Sequence, residues 1–291
     1  MSDDLAVRVR GLRKTYGDRT AVDDLDLDVR RGECFALLGP NGAGKTTTVE
    51  ILEGLRGRDA GDVRVLGADP ADDLEASRDR VGIVLQTSTG LDLLTPREVL
   101  RSTAKSYSRP RDVEELIVSV GLEDKANDRI GGLSGGQRRR VDVALGLVGT
   151  PELLFLDEPT TGFDPQARQD FWRLIDSLKG GGTTILLTTH YLDEAEHLAD
   201  RVGIIATGRL IALDTPAGLG GGTGEVVVSW ADAAGRREER TSTPTALVRE
   251  LSEQHGGGEV PGLAIGRPTL EQTYLRLIGA AGHVAHEEEE Q

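Results

Sequence analysis

Residues 39–46, Gly39-Pro40-Asn41-Gly42-Ala43-Gly44-Lys45-Thr46, have the composition and spacing of a phosphate-binding loop. Glycines at these positions let the backbone curl, so that successive N–H groups point inward at an anion. A helix following from Thr46 and Thr47 adds partial positive charge at the same place. Lys45 supplies the counter-charge for the outer phosphates of a nucleotide, and the Thr46 hydroxyl suits magnesium.

Two further constellations could act on a bound phosphate. The run Leu153-Leu154-Phe155-Leu156-Asp157-Glu158 is an apolar strand ending in two carboxylates. Carboxylates at the end of a buried strand are costly unless a cation is near. Asp157 is therefore a candidate for holding magnesium through water, and Glu158 for polarising an attacking water. Taken alone, the run fits an ordinary strand entering an acidic turn equally well. The other constellation is Leu133-Ser134-Gly135-Gly136-Gln137, followed by Arg138, Arg139 and Arg140 and an apolar helix over 141–148. Ser134 and the two glycines stand where a helix begins, which suits an anion. Three arginines there oppose the helix dipole unless something negative is bound, or unless they are a solvated face.

These residues need a scaffold, and the hydropathy pattern supplies one. Short apolar runs at 5–9, 21–29, 34–38, 63–66, 81–86, 153–156 and 184–188 read as strands. Helices are expected from 46 to 55, across 96–122 with a break at 108–110, and over 166–178. Strands alternating with helices predict a mostly parallel sheet covered on both faces. The composition changes near residue 213. Residues 218–224 are nearly all glycine and read as a flexible boundary. Beyond them, strands at 225–230, 236–241 and 260–265 alternate with helices at 245–254 and 270–278. The acidic end is expected to be disordered.

The 291 residues carry 37% hydrophobic and 29% charged side chains, with a net charge of −15. So acidic a chain argues against nonspecific binding to nucleic acid or anionic lipid. The single cysteine, Cys34, excludes an intrachain disulfide and a cysteine metal cluster. The first residues do not read as a signal peptide. No apolar stretch approaches the ~20 residues of a bilayer span.

The order of the three motifs carries a family resemblance. Leu133-Ser134-Gly135-Gly136-Gln137 is the signature of the ABC ATPases, and it stands between the phosphate loop and Asp157-Glu158, as in that family. The chain resembles ABC transporter ATP-binding subunits over roughly 5–215. The fold implied is an α/β phosphate-loop NTPase core with a mostly parallel sheet, an N-terminal antiparallel β part and a helical subdomain over about 87–140. The ligands implied are ATP and Mg2+. By the same resemblance, Tyr16 stacks on adenine and Gln86 touches magnesium or water and senses the membrane partner. Asp164, in Thr161-Gly162-Phe163-Asp164, faces the second copy across the dimer, and His190 meets the γ-phosphate. Phe163 stands where the family usually has leucine. Glu158 becomes the base, while Lys45, Thr46, Asp157 and Ser134 through Gln137 hold nucleotide and metal.

The domains expected are 1–217 for the ATPase, 218–282 for a small α+β appendage and 283–291 for a disordered tail. The stretch Arg267-Pro268-Thr269-Leu270-Glu271 resembles the closing helix of ATPases from bacterial daunorubicin-resistance efflux systems. The resemblance implies a homodimer sandwiching ATP, a separate membrane permease, and a place on the cytoplasmic face of the membrane. An importer ATPase is the near alternative. An ABC-type ATPase of nucleic acid or ribosomes is the distant one: the chain has no long coiled-coil insertion, no cysteine cluster and no second motor domain.

Overall fold

The computed structural model describes residues 4–72, 79–84, 90–221, 224–232 and 235–289. They form two compact units, 1–213 and 214–291.

In the first unit, β1 (Leu5–Tyr16), β2 (Arg19–Arg30) and β4 (Ala60–Val65) make an antiparallel sheet in the order β2-β1-β4. Alternation puts Val7, Val9 and Leu12 of β1 opposite Val29, Leu27 and Leu25 of β2, all on the buried face. The expected first strand stops at residue 9, but the observed one continues to Tyr16. Gly11, at φ +58°, shifts the register between Val9 and Leu12, and the apolar alternation resumes one place later.

The second sheet has the order β5-β6-β7-β3-β8-β9. Its strands are β3 (Cys34–Leu38), β5 (Val81–Val84), β6 (Leu153–Asp157), β7 (Thr184–Thr188), β8 (Arg201–Ala206) and β9 (Arg209–Asp214). Strands β5, β6, β7, β3 and β8 pair in parallel. Every residue of β3 and β7 is buried, which is why these strands read as unbroken apolar runs. One core cluster joins Val7, Leu12 and Leu27 of the antiparallel sheet to Phe35, Phe155 and Leu186 of the parallel one.

Helix α1 (Lys45–Leu52) follows β3 and ends three residues before the expected stop, with Gly54 at φ +76° just beyond it. The helical subdomain holds α2 (Pro96–Ala104), α3 (Val113–Ser119) and α4 (Gly135–Gly146). Helix α2 starts in a capping box between Thr95 and Glu98. Helices α5 (Pro165–Gly180) and α6 (Leu192–Leu198) flank β7 in sequence.

In the second unit, β10 (Val226–Asp232) lies between β11 (Gly235–Thr241) and β12 (Ala264–Gly266), antiparallel to both. Leu251 of α8 (Pro244–Gln254) packs with Val228 and Val260 in a small core of its own. The boundary falls at 213/214 rather than 217/218, because the glycine-rich stretch opens with a helical turn, α7 (Pro216–Gly221). The last helix, α9 (Leu270–Glu289), continues past the expected end at 278 and into the acidic run expected to be disordered.

Candidate functional site: a phosphate cradle beside two carboxylates

The cradle grows out of β3. Gly44, at φ +104°, caps α1, and a Cβ there would stand 2.3 Å from the Ala21 carbonyl oxygen. Only glycine fits that turn. A Cβ on Gly39 would likewise meet the Ile205 carbonyl oxygen at 2.3 Å. Lys45 begins α1 and is only 7% exposed. Its Nζ donates to the carbonyls of Gly39 at 2.6 Å and Pro40 at 3.0 Å. Burial pulls its ammonium below the usual lysine range, and the charges of Glu158 and Asp157 pull it back. A buried cation at a helix N-terminus is a place built for an anion.

Tyr16, Arg19, Asn41, Gly42, Lys45, Thr46, Thr47 and Glu158 surround one pocket of about 370 Å³. Tyr16 is 41% exposed, and the charged ends of Lys14 and Arg56 lie 5.5 and 5.4 Å from its ring centroid. Arg19 pairs with Tyr16 across the β1–β2 turn and donates to the Gly42 carbonyl at 3.0 Å. Sequence reasoning missed it. A cation three residues after the tyrosine, across a Gly-Asp turn, was the only signal.

Asp157 and Glu158 end β6 as expected, and Thr188 of β7 fixes both. Its hydroxyl donates to Asp157 Oδ1 at 2.5 Å, while Glu158 N–H points at the Thr188 carbonyl and hydroxyl oxygens at 3.1 and 3.2 Å. Glu158 sits at φ +43°, a left-handed conformation that costs a non-glycine residue about 1 kcal/mol or more. That turn puts the Glu158 side chain on the pocket and its Oε2 3.4 Å from His190 Nδ1. Thr161 Oγ1 donates to the same Oε2 at 3.3 Å.

The signature lies elsewhere. Ser134 caps α4 in a reciprocal box: Gln137 N–H points at Ser134 Oγ at 3.3 Å, and Ser134 N–H at Gln137 Oε1 at 3.0 Å. Ser134 and Gly135 are exposed, and none of Ser134, Gly135, Gly136 and Gln137 lines the pocket. Of the three arginines, Arg139 is buried while the Arg138 side chain is 40% exposed, and all three reach backbone carbonyls. Arg138 reaches the Ile130 and Gly131 carbonyls, and Arg140 donates to the Val120 carbonyl at 2.6 Å. Buried Arg139 donates to the carbonyls of Asp157 at 2.9 Å and Pro159 at 3.1 Å, bracing the carboxylate turn from behind. Asp164 caps α5, accepting from Ala167 N–H at 2.8 Å. Gln86 lies outside the described residues.

A polyphosphate fits the cradle, and a metal fits only alongside it. Among the described residues no group of three or more His, Cys, Asp or Glu could hold an ion alone. Magnesium takes one or two carboxylates and completes its shell with water and substrate phosphates. The Thr46 hydroxyl and Asp157 are ligands of that kind. Lone Cys34 is buried, and burial pushes its thiol up to about 12, away from any such role.

The comparisons agree with this geometry. The sequence profile of the ABC transporter family matches residues 22–161. The chain is 39% identical to the daunorubicin resistance ATP-binding protein DrrA3 of Streptomyces coeruleorubidus, over 95% of this chain and 96% of that one. It is 40% identical to the Nod factor export ATP-binding protein I of Ralstonia nicotianae, over 93% of each. Among solved structures, an ATP-binding subunit of an ABC transporter superposes with a TM-score of 0.68 at 26% identity, covering 94% of this chain and 99% of that one. A dimeric ATP-binding cassette in a post-hydrolysis state, bound to ADP and Pi, gives 0.64 at 26% identity, covering 72% and 98%. A cradle for polyphosphate, a carboxylate turned toward it and a signature helix on the same chain thus have one common explanation: the protein belongs to the ABC transporter family, as an ATP-binding and ATP-hydrolysing subunit.

Proposed function

We propose that two copies of this chain sandwich two ATP molecules and drive a separate membrane permease that exports a drug, antibiotic or other small amphipathic compound. The observation that carries the dimer is the split site. One chain holds Lys45, Thr46 and Glu158 around a pocket, while its exposed Ser134 cap takes no part in lining that pocket. The signature of a second copy would complete it. The relatives named for daunorubicin resistance and Nod factor export favour export over import.

In this reading Tyr16 takes the adenine, the 39–47 loop wraps the phosphates, and Lys45 neutralises them. Thr46, Asp157 and Gln86 would hold Mg2+, which supplies charge neutralisation at the phosphates. Glu158 orients and polarises the attacking water, and His190 meets the γ-phosphate. No helix among the described residues is long and apolar enough to cross a membrane. In this reading the permease is a separate chain, on whose cytoplasmic side this subunit docks. Its seat in this reading is an apolar pocket of about 430 Å³ lined by Leu52, Leu55, Val81, Ile83 and Tyr107.

Glu158→Gln tests the proposal. It keeps the shape and removes the charge that activates water, so ATP should be held and the closed dimer trapped. Light scattering with Mg-ATP should report twice the monomer mass for Glu158→Gln and the monomer for Glu158→Gln/Ser134→Arg. Hydrolysis by Glu158→Gln at the parental rate would remove Glu158 as base. For direction, the subunit reconstituted with its permease in inside-out vesicles should drive ATP-dependent accumulation of an amphipathic drug such as daunorubicin.

A further inference from the structure

Among the described residues, every buried side-chain nitrogen or oxygen without a hydrogen bond belongs to one of four residues. They are Thr160 Oγ1, Arg168 Nε, Trp172 Nε1 and both carboxylate oxygens of Glu194. Orphaned buried polar atoms are rare and costly. These are complementary: a hydroxyl, a guanidinium N–H and an indole N–H are three donors, and the two oxygens of Glu194 are acceptors. Glu194 is fully buried in the first turn of α6, as are Thr160 after the carboxylate turn and Thr189 at the end of β7. Burial pushes the Glu194 carboxyl up, while Thr189, Thr160, Trp172 and Arg168 pull it back. The donors therefore surround the carboxylate, yet none closes on it with hydrogen-bonding geometry.

The cluster sits between two loops of the site. On one side, residues 160–163 lead to Asp164, the cap of α5. On the other, Thr189, His190 and Tyr191 lead into α6. A second chain of contacts runs parallel to the first. Arg168 of α5 pairs with Asp193 at 3.0 Å and lies 4.3 Å from the centroid of the Tyr191 ring, and that ring is 4.1 Å from the ring of His190. Trp172 of α5 stacks on His197 of α6 at 4.6 Å. Among the described residues His190 meets the Tyr191 ring and Glu158 Oε2, and in the proposed reaction it must stay near that oxygen.

We propose that Glu194 is a positioning residue for ATP hydrolysis: its carboxylate gathers Thr160 and Trp172 and so ties the His190 loop to the 160–164 segment. When these hydrogen bonds close, His190 and Glu158 are held in register, and displacement of the 160–164 segment is felt at His190. Glu194 touches neither nucleotide nor water in this role. The inference rests on Glu158 and His190 forming the hydrolytic pair proposed above.

The chain contains two tryptophans, Trp172 and Trp230, so a Trp230→Phe background leaves Trp172 as the only indole reporter. Glu194→Gln, Thr160→Val and His190→Ala are compared there by steady-state ATPase assay, thermal melting and Trp172 emission with Mg-ATP. Glu194→Gln and Thr160→Val should each lower kcat about tenfold and leave KM within about twofold. Glu194→Gln should melt no lower than the parent, because it removes a buried charge, and its Trp172 emission should lose its response to Mg-ATP. Activity falling while stability holds is the signature of positioning. Parental kcat in Glu194→Gln and Thr160→Val, with His190→Ala slow, overturns the inference alone. Stability, KM and kcat all worsening together in Glu194→Gln overturns it in favour of simple packing. Parental turnover in His190→Ala overturns the hydrolytic pair, and the inference with it.

Discussion

The phosphate cradle and the signature helix carry equally recognisable motifs, but different parts of the chain fix them. The cradle is made of backbone. It hangs from the fully buried strand β3, Gly39 and Gly44 leave no room for a side chain, and its lysine is folded onto its own loop. The signature is made of side chains at the exposed end of a helix, where Ser134 and Gln137 satisfy each other and three arginines anchor to carbonyls behind them. The first half is a finished receptor. The second is a stiffened surface, with its donors presented outward. A nucleotide should bind the first without the second, whereas turnover in the proposed dimer should need both.

The largest effect should come from breaking the cradle. Lys45→Ala removes the buried cation that the loop encloses, so kcat/KM for ATP should fall about a thousandfold or more, with weakened nucleotide binding in fluorescence titration. Undiminished turnover would remove the phosphate-loop assignment. Ser134→Arg should do something different. Nucleotide affinity of the monomer should stay within about twofold, while ATP-dependent dimerisation disappears and kcat drops about a hundredfold. If Ser134→Arg weakened binding to the monomer as much as Lys45→Ala does, the two halves would not be separable.

The same contrast explains what could be read from sequence. Gly42 and Gly44 occupy left-handed conformations, and such a requirement leaves a mark in residue type. The all-buried strands left theirs in unbroken apolar runs. Glu158 also adopts positive φ, but nothing local announces it, because tertiary bonds from Thr188 impose the turn. The anchoring of the arginines after the signature was not legible for a similar reason. Their partners are carbonyls of residues 120, 130, 131, 157 and 159, which become neighbours only on folding. Strand β1 was cut short by a bulge, and α9 was ended at glycines that the helix runs through.

A pH-dependent effect would sharpen the comparison at the far end of α1. The Glu53 carboxyl is 6% exposed and pushed up to about 8 by burial, then by the charges of Asp157 and Glu50. Unfolded, it titrates near 4.5. Between those values the folded chain keeps a proton that the unfolded chain releases. Stability is therefore lost as pH rises through this window, and the loss is complete above about 8. Glu53→Gln cannot ionise. Its advantage in melting temperature over the parent should be near zero at pH 4.5 and grow to the equivalent of about 5 kcal/mol at pH 8.5. A flat difference across that range would mean that Glu53 has an ordinary carboxylate environment.

The smallest effect is expected from removing the second unit. Every residue proposed to act at the nucleotide, from Tyr16 to His190, precedes position 214, and the large core cluster is drawn from residues before that point as well. The unit from 214 onward has its own core around Val228, Leu251 and Val260. Neither core borrows from the other, so a chain ending at Leu213 should fold cooperatively and bind ATP with a Kd within about twofold of the parent, a difference of about 0.4 kcal/mol. Titration with a fluorescent ATP analogue measures this directly, and circular dichroism confirms that the truncated chain is folded. A folded 1–213 chain that no longer binds ATP would show that the second unit completes the cradle. A chain that binds ATP but no longer forms the Glu158→Gln dimer would instead assign the second unit to holding two copies together. The contrast between a finished receptor and a surface needing a partner would then extend to the whole molecule.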